Sequence, residues 1–78
     1  MKPDDARIAE VLMELAHRRG TDSSFCPSEA ARTLATEWRP LMTDVRRVAA
    51  GLPLVATQKG KTVDPADARG PVRLRLTP

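Results

Sequence analysis

The stretch VRLRLT, Val72–Thr77 near the end of the chain, decides the fold. Apolar and polar side chains alternate along it, which is the two-residue period of a half-buried β-strand. The chain before Pro53 instead shows the 3.6-residue period of amphipathic helices. The alternation therefore argues against a three-helix bundle with a disordered tail, and for a helical core covered by strands.

A partner strand for this stretch is predicted at residues 54–58, with the sequence LVATQ. Residues 59–71 lie between the two strands and are rich in Gly, Pro, Asp and Lys, which is typical of a long hairpin loop. We predict that strands 54–58 and 72–77 pair antiparallel. The side chains expected to face the core are Val72, Leu74 and Leu76.

The first of three predicted helices covers residues of about 4–19. Its apolar stripe recurs at helical spacing and consists of Ile8, Val11, Leu12, Leu15 and Ala16. Asp4 or Asp5 can cap its start. Gly20 can adopt the left-handed conformation that ends it.

The second and third helices are predicted at about 27–37 and 41–52. Cys26-Pro27-Ser28-Glu29 opens the second helix, because proline is tolerated at the first helical position and Glu29 can reach back to a free backbone N–H. This helix must end before Pro40, whose ring disfavours helical geometry at the preceding residue. The apolar face of the third helix consists of Leu41, Val45, Val48, Ala49 and Leu52.

The predicted element order is helix, helix, short turn, helix and hairpin, which is that of a winged helix. Three short helices can bury their stripes against one another while the hairpin covers the open side of the core. The 78 residues are near the lower size limit of a domain that one core can stabilise. We therefore predict a single α+β winged-helix domain over residues 1–78.

Charge is distributed unevenly along the chain, whose formal net charge is +3. Residues 1–37 carry 5 basic and 7 acidic side chains, a net −2, whereas residues 38–78 carry 8 basic and 3 acidic ones, a net +5. A basic half on a small domain favours a polyanionic partner such as nucleic acid. A basic surface without a specific partner is the alternative.

Several features bear on the cellular compartment. The single cysteine cannot form an internal disulfide, which fits a reducing environment. No apolar run approaches the roughly 18 residues of a membrane span. The N-terminal Met-Lys-Pro-Asp-Asp lacks the apolar core of a signal peptide. We expect a cytoplasmic protein without a membrane partner.

A set of short motifs resembles a small bacterial family that is known as a domain of unknown function with a winged-helix-like fold. The motifs are Cys26–Arg32, Trp38-Arg39, Leu41-Met42 with Val45-Arg46, Gln58–Gly60, Val63–Pro65 and Arg69–Leu74. The resemblance extends from about Ile8 to Leu76. It implies the winged-helix fold and DNA binding, and it implies no activity, ligand or catalytic residue.

The third helix carries the first group of candidate nucleic-acid-binding residues. Arg46 and Arg47 can project into a major groove, where arginine reads guanine edges and grips phosphate. Arg39 and Thr43 lie at or before the start of this helix, where phosphate and base contacts concentrate. The alternatives are that both arginines are solvated, or that Arg46 pairs with a carboxylate of the second helix such as Glu29.

The hairpin carries the second group. Lys59 and Lys61 have the composition of a wing tip that meets the DNA backbone or minor groove. Arg73 and Arg75 stand on the outer face of the last strand, where they extend the basic surface or keep an edge strand soluble. The nearby Asp64-Pro65 is predicted to shape a turn.

Two unusual side chains have competing interpretations. Cys26 at a helix N-terminus can become a reactive thiolate, but His17 is the only candidate base and has no predicted reason to face it. One Cys and one His are too few for a structural zinc site. Trp38 can stack on a base, although a lone Trp in an aromatic-poor domain is more often a core residue. We favour a structural role for both Cys26 and Trp38.

The sequence thus predicts a non-enzymatic nucleic-acid-binding module that uses the third helix and the wing, with duplex DNA as partner and without metal or cofactor. Recognisable spacings for a phosphate-binding glycine loop, paired carboxylates or a Ser-His-Asp set are absent from the sequence. The alternative is a protein–protein interaction module on the same scaffold, since one fold can host both uses.

Overall fold

A computed structural model describes residues 2–78, so that Met1 of the predicted domain lies outside the described residues. The chain has three helices followed by a three-stranded antiparallel sheet, an α+β arrangement compatible with a winged helix. The elements are α1 (Asp5–Arg19), α2 (Pro27–Leu34), a 3-10 turn (Arg39–Leu41), α3 (Met42–Ala50), β1 (Leu54–Gln58), β2 (Lys61–Val63) and β3 (Arg73–Leu76).

Helix α1 begins and ends where the sequence predicts. The Asp4 carboxylate accepts a hydrogen bond from the backbone N–H of Arg7 at 2.8 Å, so Asp4 is the N-cap. Gly20 has a φ of +78°, and its N–H donates to the carbonyl of Ala16 at 2.9 Å. A β-carbon at this φ would be strained, which explains why glycine ends the helix.

Helix α2 ends at Leu34, earlier than the predicted residue 37. Ala35 has an extended backbone, with φ −158° and ψ 150°, and this stops the helix. Pro40 is not the residue that ends α2, because it lies in the later 3-10 turn, which already includes Arg39 and leads into α3. The early end of α2 lets Trp38 fold back, half-buried, against the core.

The sheet has the strand order β2-β1-β3. Strand β1 pairs antiparallel with β3, with Ala56 opposite Leu74 and Leu54 opposite Leu76. Val72, just before β3, and Leu74 are buried, and Leu76 packs partly buried against the core. The predicted pairing and the predicted inward face are therefore confirmed.

Residues 59–71 differ from the long loop that the sequence predicts. Lys59 and Gly60 have φ values of +52° and +81°, as in the tight two-residue turn that favours β-hairpins. Strand β2 follows at once and pairs with β1, with Gln58 opposite Lys61. Strands β1 and β2 thus form a short hairpin, and its turn, residues 59–61, is hereafter called the Lys59–Lys61 tip. A separate loop over residues 64–71 follows β2.

One core joins the helices to the sheet. Phe25, in the connection between α1 and α2, exchanges both backbone hydrogen bonds with Leu74 at 2.8 Å. Both side chains are fully buried. Their neighbours in the core include Ile8, Leu12, Ala30, Ala31, Val45 and Ala49. The bridge fixes β3 against α1 and so sets the position of the hairpin relative to α3.

Candidate nucleic-acid interface

Helix α3 presents one apolar and one polar side. Val45 and Ala49 are buried against the core, whereas Thr43 and Arg47 are exposed. Arg46 lies between these sides and is half-buried. The polar side that the sequence predicts for nucleic-acid contact is therefore present, but its two arginines have partners within the domain.

Arg46 is bound to the loop over residues 64–71. Its Nε donates to the carbonyl of Pro65 at 2.8 Å, and its two terminal nitrogens donate to the carbonyls of Ala68 at 2.6 Å and Gly70 at 3.1 Å. A planar guanidinium can satisfy several carbonyls at once because its donors diverge in a fixed fork. Arg46 therefore fastens this loop to α3.

The predicted alternative, an ion pair between Arg46 and Glu29, does not form. Glu29 instead pairs with Arg19 of α1, and its other oxygen accepts the backbone N–H of Cys26 at 3.1 Å. The reason is that Glu29 lies at the third position of α2, where its carboxylate caps the helix start. Arg46 on α3 instead points toward the loop over residues 64–71.

The loop over residues 64–71 is also held from the sheet and from within. The side-chain amide of Gln58 donates to the carbonyls of Arg69 and, at 3.2 Å, Pro71. The Asp64 carboxylate accepts the N–H of Ala66 at 2.8 Å, as the predicted turn at Asp64-Pro65 requires. Side chains of α3 and β1 thus fix the loop between them.

Arg47 belongs to a network of charges that reaches the start of α1. Its guanidinium donates to both oxygens of Asp5, at 2.9 and 2.8 Å, and to Asp44 at 3.3 Å. Lys2 also pairs with Asp44. Hydrogen bonding to Arg47 lowers the pKa of the Asp5 carboxyl. Hydrogen bonds from Lys2 and then Arg47 lower the pKa of Asp44, and the bond to Asp5 raises the pKa of Arg47.

The other predicted residues divide into tethered and free ones. Arg73 is tethered, since it donates to the Oγ of Ser24 at 3.0 Å and to its carbonyl at 2.9 Å. Lys59 and Lys61 are exposed at the hairpin tip, and neither ammonium has an ion-pair partner within residues 2–78. Arg75 is half-exposed on β3, opposite Val55.

Two arginines, Arg39 and Arg32, lie over the ring of Trp38. Arg32 is not among the site residues that the sequence predicts. The Cζ atoms of Arg32 and Arg39 each lie 4.6 Å from the centroid of the Trp38 ring. Both arginines are exposed, and Trp38 is half-buried and packs against the core, as expected. The early end of α2 brings Arg32 to the ring, and no signal in the sequence marks that end.

A protein-family model matches nearly the whole chain. The family described as "Protein of unknown function (DUF3253)" matches residues 5–77, from the start of α1 to the residue after β3. The chain belongs to this family. No curated protein matches the chain significantly. The three helices and the sheet described above therefore form one DUF3253 domain.

Cys26 of this DUF3253 domain lies at the N-cap of α2 and is half-buried. The hydroxyl of Ser28 donates to its Sγ at 3.1 Å. His17 is exposed on α1, with its Nδ1 2.8 Å from the carbonyl of Met13 in its own helix. Within residues 2–78, no hydrogen bond joins the thiol to a base, and no group of His, Cys, Asp or Glu could hold a metal ion.

The helices of residues 2–78 include none that is long and apolar enough to cross a membrane. A shallow groove of about 150 Å³ lies between α1 and α2. The residues that line it are Arg7, Val11, Glu14, Leu15, Arg18 and Thr33. Its charged residues form pairs within α1, Arg7 with Glu10 and Arg18 with Glu14. Hence the basic surface, and not this groove, is the candidate site.

Proposed function

We propose that the protein is a non-enzymatic nucleic-acid-binding module that contacts duplex DNA through α3 and the Lys59–Lys61 tip. In this proposal α2, the 3-10 turn and α3 act as a helix-turn-helix, with α3 directed at the major groove. The hairpin acts as a wing that touches the phosphate backbone.

The observation that carries the proposal is the binding of Arg46 to three carbonyls of the loop over residues 64–71. This loop continues directly from strand β2 of the hairpin, and Gln58 ties it to β1. The recognition helix and the wing therefore have a fixed relative position before any ligand arrives. Such preorganisation lowers the entropic cost of binding a rigid duplex.

The charge distribution supports the same proposal. The basic half carries a net +5, and several of its cationic residues are exposed, although Arg47 and Arg73 also have partners within the domain. The exposed ones are Arg39, Arg47, Lys59, Lys61, Arg69 and Arg73. Asp64 and Asp67 in the loop reduce the local charge, so we expect moderate affinity that depends strongly on salt.

The structure changes the roles that we assign to the α3 arginines within this proposal. Arg46 is a positioning residue, because loop carbonyls already accept its donors. Arg47 can contact a phosphate only when it exchanges its hydrogen bonds to the Asp5 and Asp44 carboxylates. Thr43, exposed near the start of α3, has no such partner to lose and is the base-reading candidate of this helix.

An electrophoretic shift with a random-sequence duplex at about 50 and about 200 mM salt tests the proposal. We expect a shift at the lower concentration that weakens strongly at the higher one, because each neutralised phosphate releases counterions. Duplex RNA in a parallel lane separates the two nucleic acids, since its deep and narrow major groove does not admit α3. No shift with either duplex at the lower salt would contradict the proposal.

A protein-interaction module is the second candidate function. The specific observation in its favour is that Arg46 and Arg47 both donate hydrogen bonds to acceptors within the domain. The winged-helix scaffold can support such a use. This candidate gains if the purified protein binds neither duplex, and it loses if binding depends on the hairpin lysines.

A further inference from the structure

We propose that Arg32, Trp38 and Arg39, hereafter the Arg–Trp–Arg cluster, form a second phosphate-binding site for the nucleic-acid backbone. This inference rests on the proposed function and adds to it a contact at the start of α3, separate from the Lys59–Lys61 tip.

The cluster is assembled by the sharp connection between two helices. Arg32 lies in the last turn of α2, and Trp38 and Arg39 stand at the 3-10 turn that leads into α3. The half-buried Trp38 ring packs against the core, so its position is fixed. Each guanidinium carbon lies 4.6 Å from the ring centroid, within the range of a favourable cation–π contact.

Stacking leaves the arginines able to bind an anion. It uses the flat face of a guanidinium, whereas the N–H donors point outward in the plane of the group. Within residues 2–78, neither Arg32 nor Arg39 forms an ion pair with a carboxylate. Their forks therefore match a phosphate, which arginine binds in bidentate geometry. A stacked side chain also loses less rotamer freedom on binding than a mobile one.

The electrostatics favour an anion over any other ligand. Two positive charges lie against one aromatic ring, and a phosphate bound to either guanidinium would reduce their repulsion. Glu37 is exposed next to Trp38 in the sequence and reduces the attraction without removing the excess of positive charge. A nucleobase carries no charge and would leave both guanidinium groups unpaired. The cluster therefore binds the phosphate backbone and not a base.

Trp38 is the chain's one tryptophan, so its intrinsic fluorescence reports on the cluster directly. The test adds an unlabelled random-sequence duplex to the wild-type protein at about 50 mM salt. A parallel titration follows the anisotropy of a labelled duplex of the same sequence. We expect the Trp38 emission to change with the same midpoint as the anisotropy.

Paired substitutions separate the cluster from the rest of the basic surface. Arg32→Gln with Arg39→Gln should weaken duplex binding about tenfold or more, as expected for lost charge-assisted contacts, and lower the magnitude of the salt slope by about 1.8. The matched control is Arg7→Gln with Arg18→Gln, which removes the same charge from the exposed face of α1. The control should keep the wild-type slope. Circular dichroism checks that both variants fold.

The outcomes distinguish the cluster from the proposed function. If anisotropy rises while Trp38 emission stays constant, or if both double variants bind equally well, the cluster is not a site and the proposed function stands. If anisotropy never rises, the proposed function fails and this inference fails with it. If the cluster variant does not fold, the Trp38 emission of the wild type tests the inference by itself: a change with the midpoint of the anisotropy supports the site, and constant emission contradicts it.

Discussion

The carboxylate of Asp5 accepts two hydrogen bonds from Arg47, at 2.9 and 2.8 Å, across 42 residues of sequence. The pair joins the first residue of α1 to the exposed side of α3. An acidic residue of the N-terminal half thus holds an arginine of the basic half that the proposed function assigns to a phosphate. The proposed binding surface is therefore partly neutralised by the domain itself.

Asp5→Asn should strengthen duplex binding, because it removes the charge of the carboxylate that accepts the two shorter hydrogen bonds of Arg47 and leaves only Asp44, at 3.3 Å. If Arg47 then gains one phosphate, the salt slope should steepen by about 0.9. Fluorescence anisotropy over a series of salt concentrations measures this. Asp22→Asn is the matched control, since Asp22 is exposed in the connection after α1 and has the same charge. Equal slopes for the two variants would contradict a role for Asp5 in masking Arg47.

The same network predicts a dependence of stability on pH. The pKa values of Asp5 and Asp44 are lowered in the folded protein by their hydrogen bonds to Arg47 and Lys2. A lowered pKa stabilises the fold above the ordinary aspartate value of about 4, and this contribution is lost as the pH falls through the folded-state pKa values. Urea unfolding should show Asp44→Asn less stable than the wild type at neutral pH.

That difference between Asp44→Asn and the wild type should begin to shrink as the pH drops below about 4, where the carboxyl of the unfolded chain takes up a proton. It should vanish below the lowered folded-state pKa of Asp44, where the folded wild-type carboxyl is protonated as well. A difference that is the same at neutral and acidic pH would mean that packing, and not charge, accounts for the effect of Asp44. Asp5 is exposed and Asp44 is half-buried, so high salt should weaken the pair of Asp5 with Arg47 more than the pairs of Asp44.

Lys59 has a left-handed backbone conformation, with a φ of +52°. This conformation costs most residues about 1–2 kcal/mol, and Asn tolerates it better than Lys does. Lys59→Asn should therefore raise the free energy of unfolding by about 1 kcal/mol. Lys61→Asn removes the same charge from a strand position, where Asn is disfavoured, and should bring no such gain. Equal stability of the two variants would contradict the two-residue turn.

Arg46→Lys should loosen the loop over residues 64–71 while keeping the charge of α3. A lysine cannot reproduce the fork that satisfies Pro65, Ala68 and Gly70. The loss of these contacts should lower the stability by about 1–3 kcal/mol and speed hydrogen exchange of the loop amides. Arg69→Lys is the control, because Arg69 is exposed in the same loop. Unchanged exchange in Arg46→Lys would contradict its positioning role.

The sequence predicts the elements that depend on local pattern. The helical stripes, the cap at Asp4, the stop at Gly20 and the alternation of Val72–Thr77 each act over a few residues, and the structure confirms them. The sequence does not predict the tight turn at Lys59-Gly60 or strand β2, because a lysine stands at the left-handed turn position. Asn, Asp or Gly at that place would have signalled a tight turn.

The sequence contains no local pattern that predicts the carbonyl contacts of Arg46 or the pair of Asp5 with Arg47. Arg46 binds carbonyls 19 to 24 residues away, and any residue type offers a carbonyl. The partner of Arg47 is 42 residues away, and several acidic residues could equally have served. The cluster around Trp38 depends on Ala35 leaving the helix, which is contrary to the high helix propensity of alanine.

The central claim is that α3 and the Lys59–Lys61 tip bind duplex DNA as one surface. The most direct test measures the affinity for a labelled duplex by anisotropy over a series of salt concentrations. It compares the wild type with the double variant Lys59→Gln plus Lys61→Gln and with the control Arg7→Gln plus Arg18→Gln. We predict wild-type binding at about 50 mM salt, and a slope lower in magnitude by about 1.8 for the lysine variant on every duplex sequence. The α1 variant should keep the wild-type slope. No wild-type binding at this salt, or one slope for all three proteins, would contradict the account.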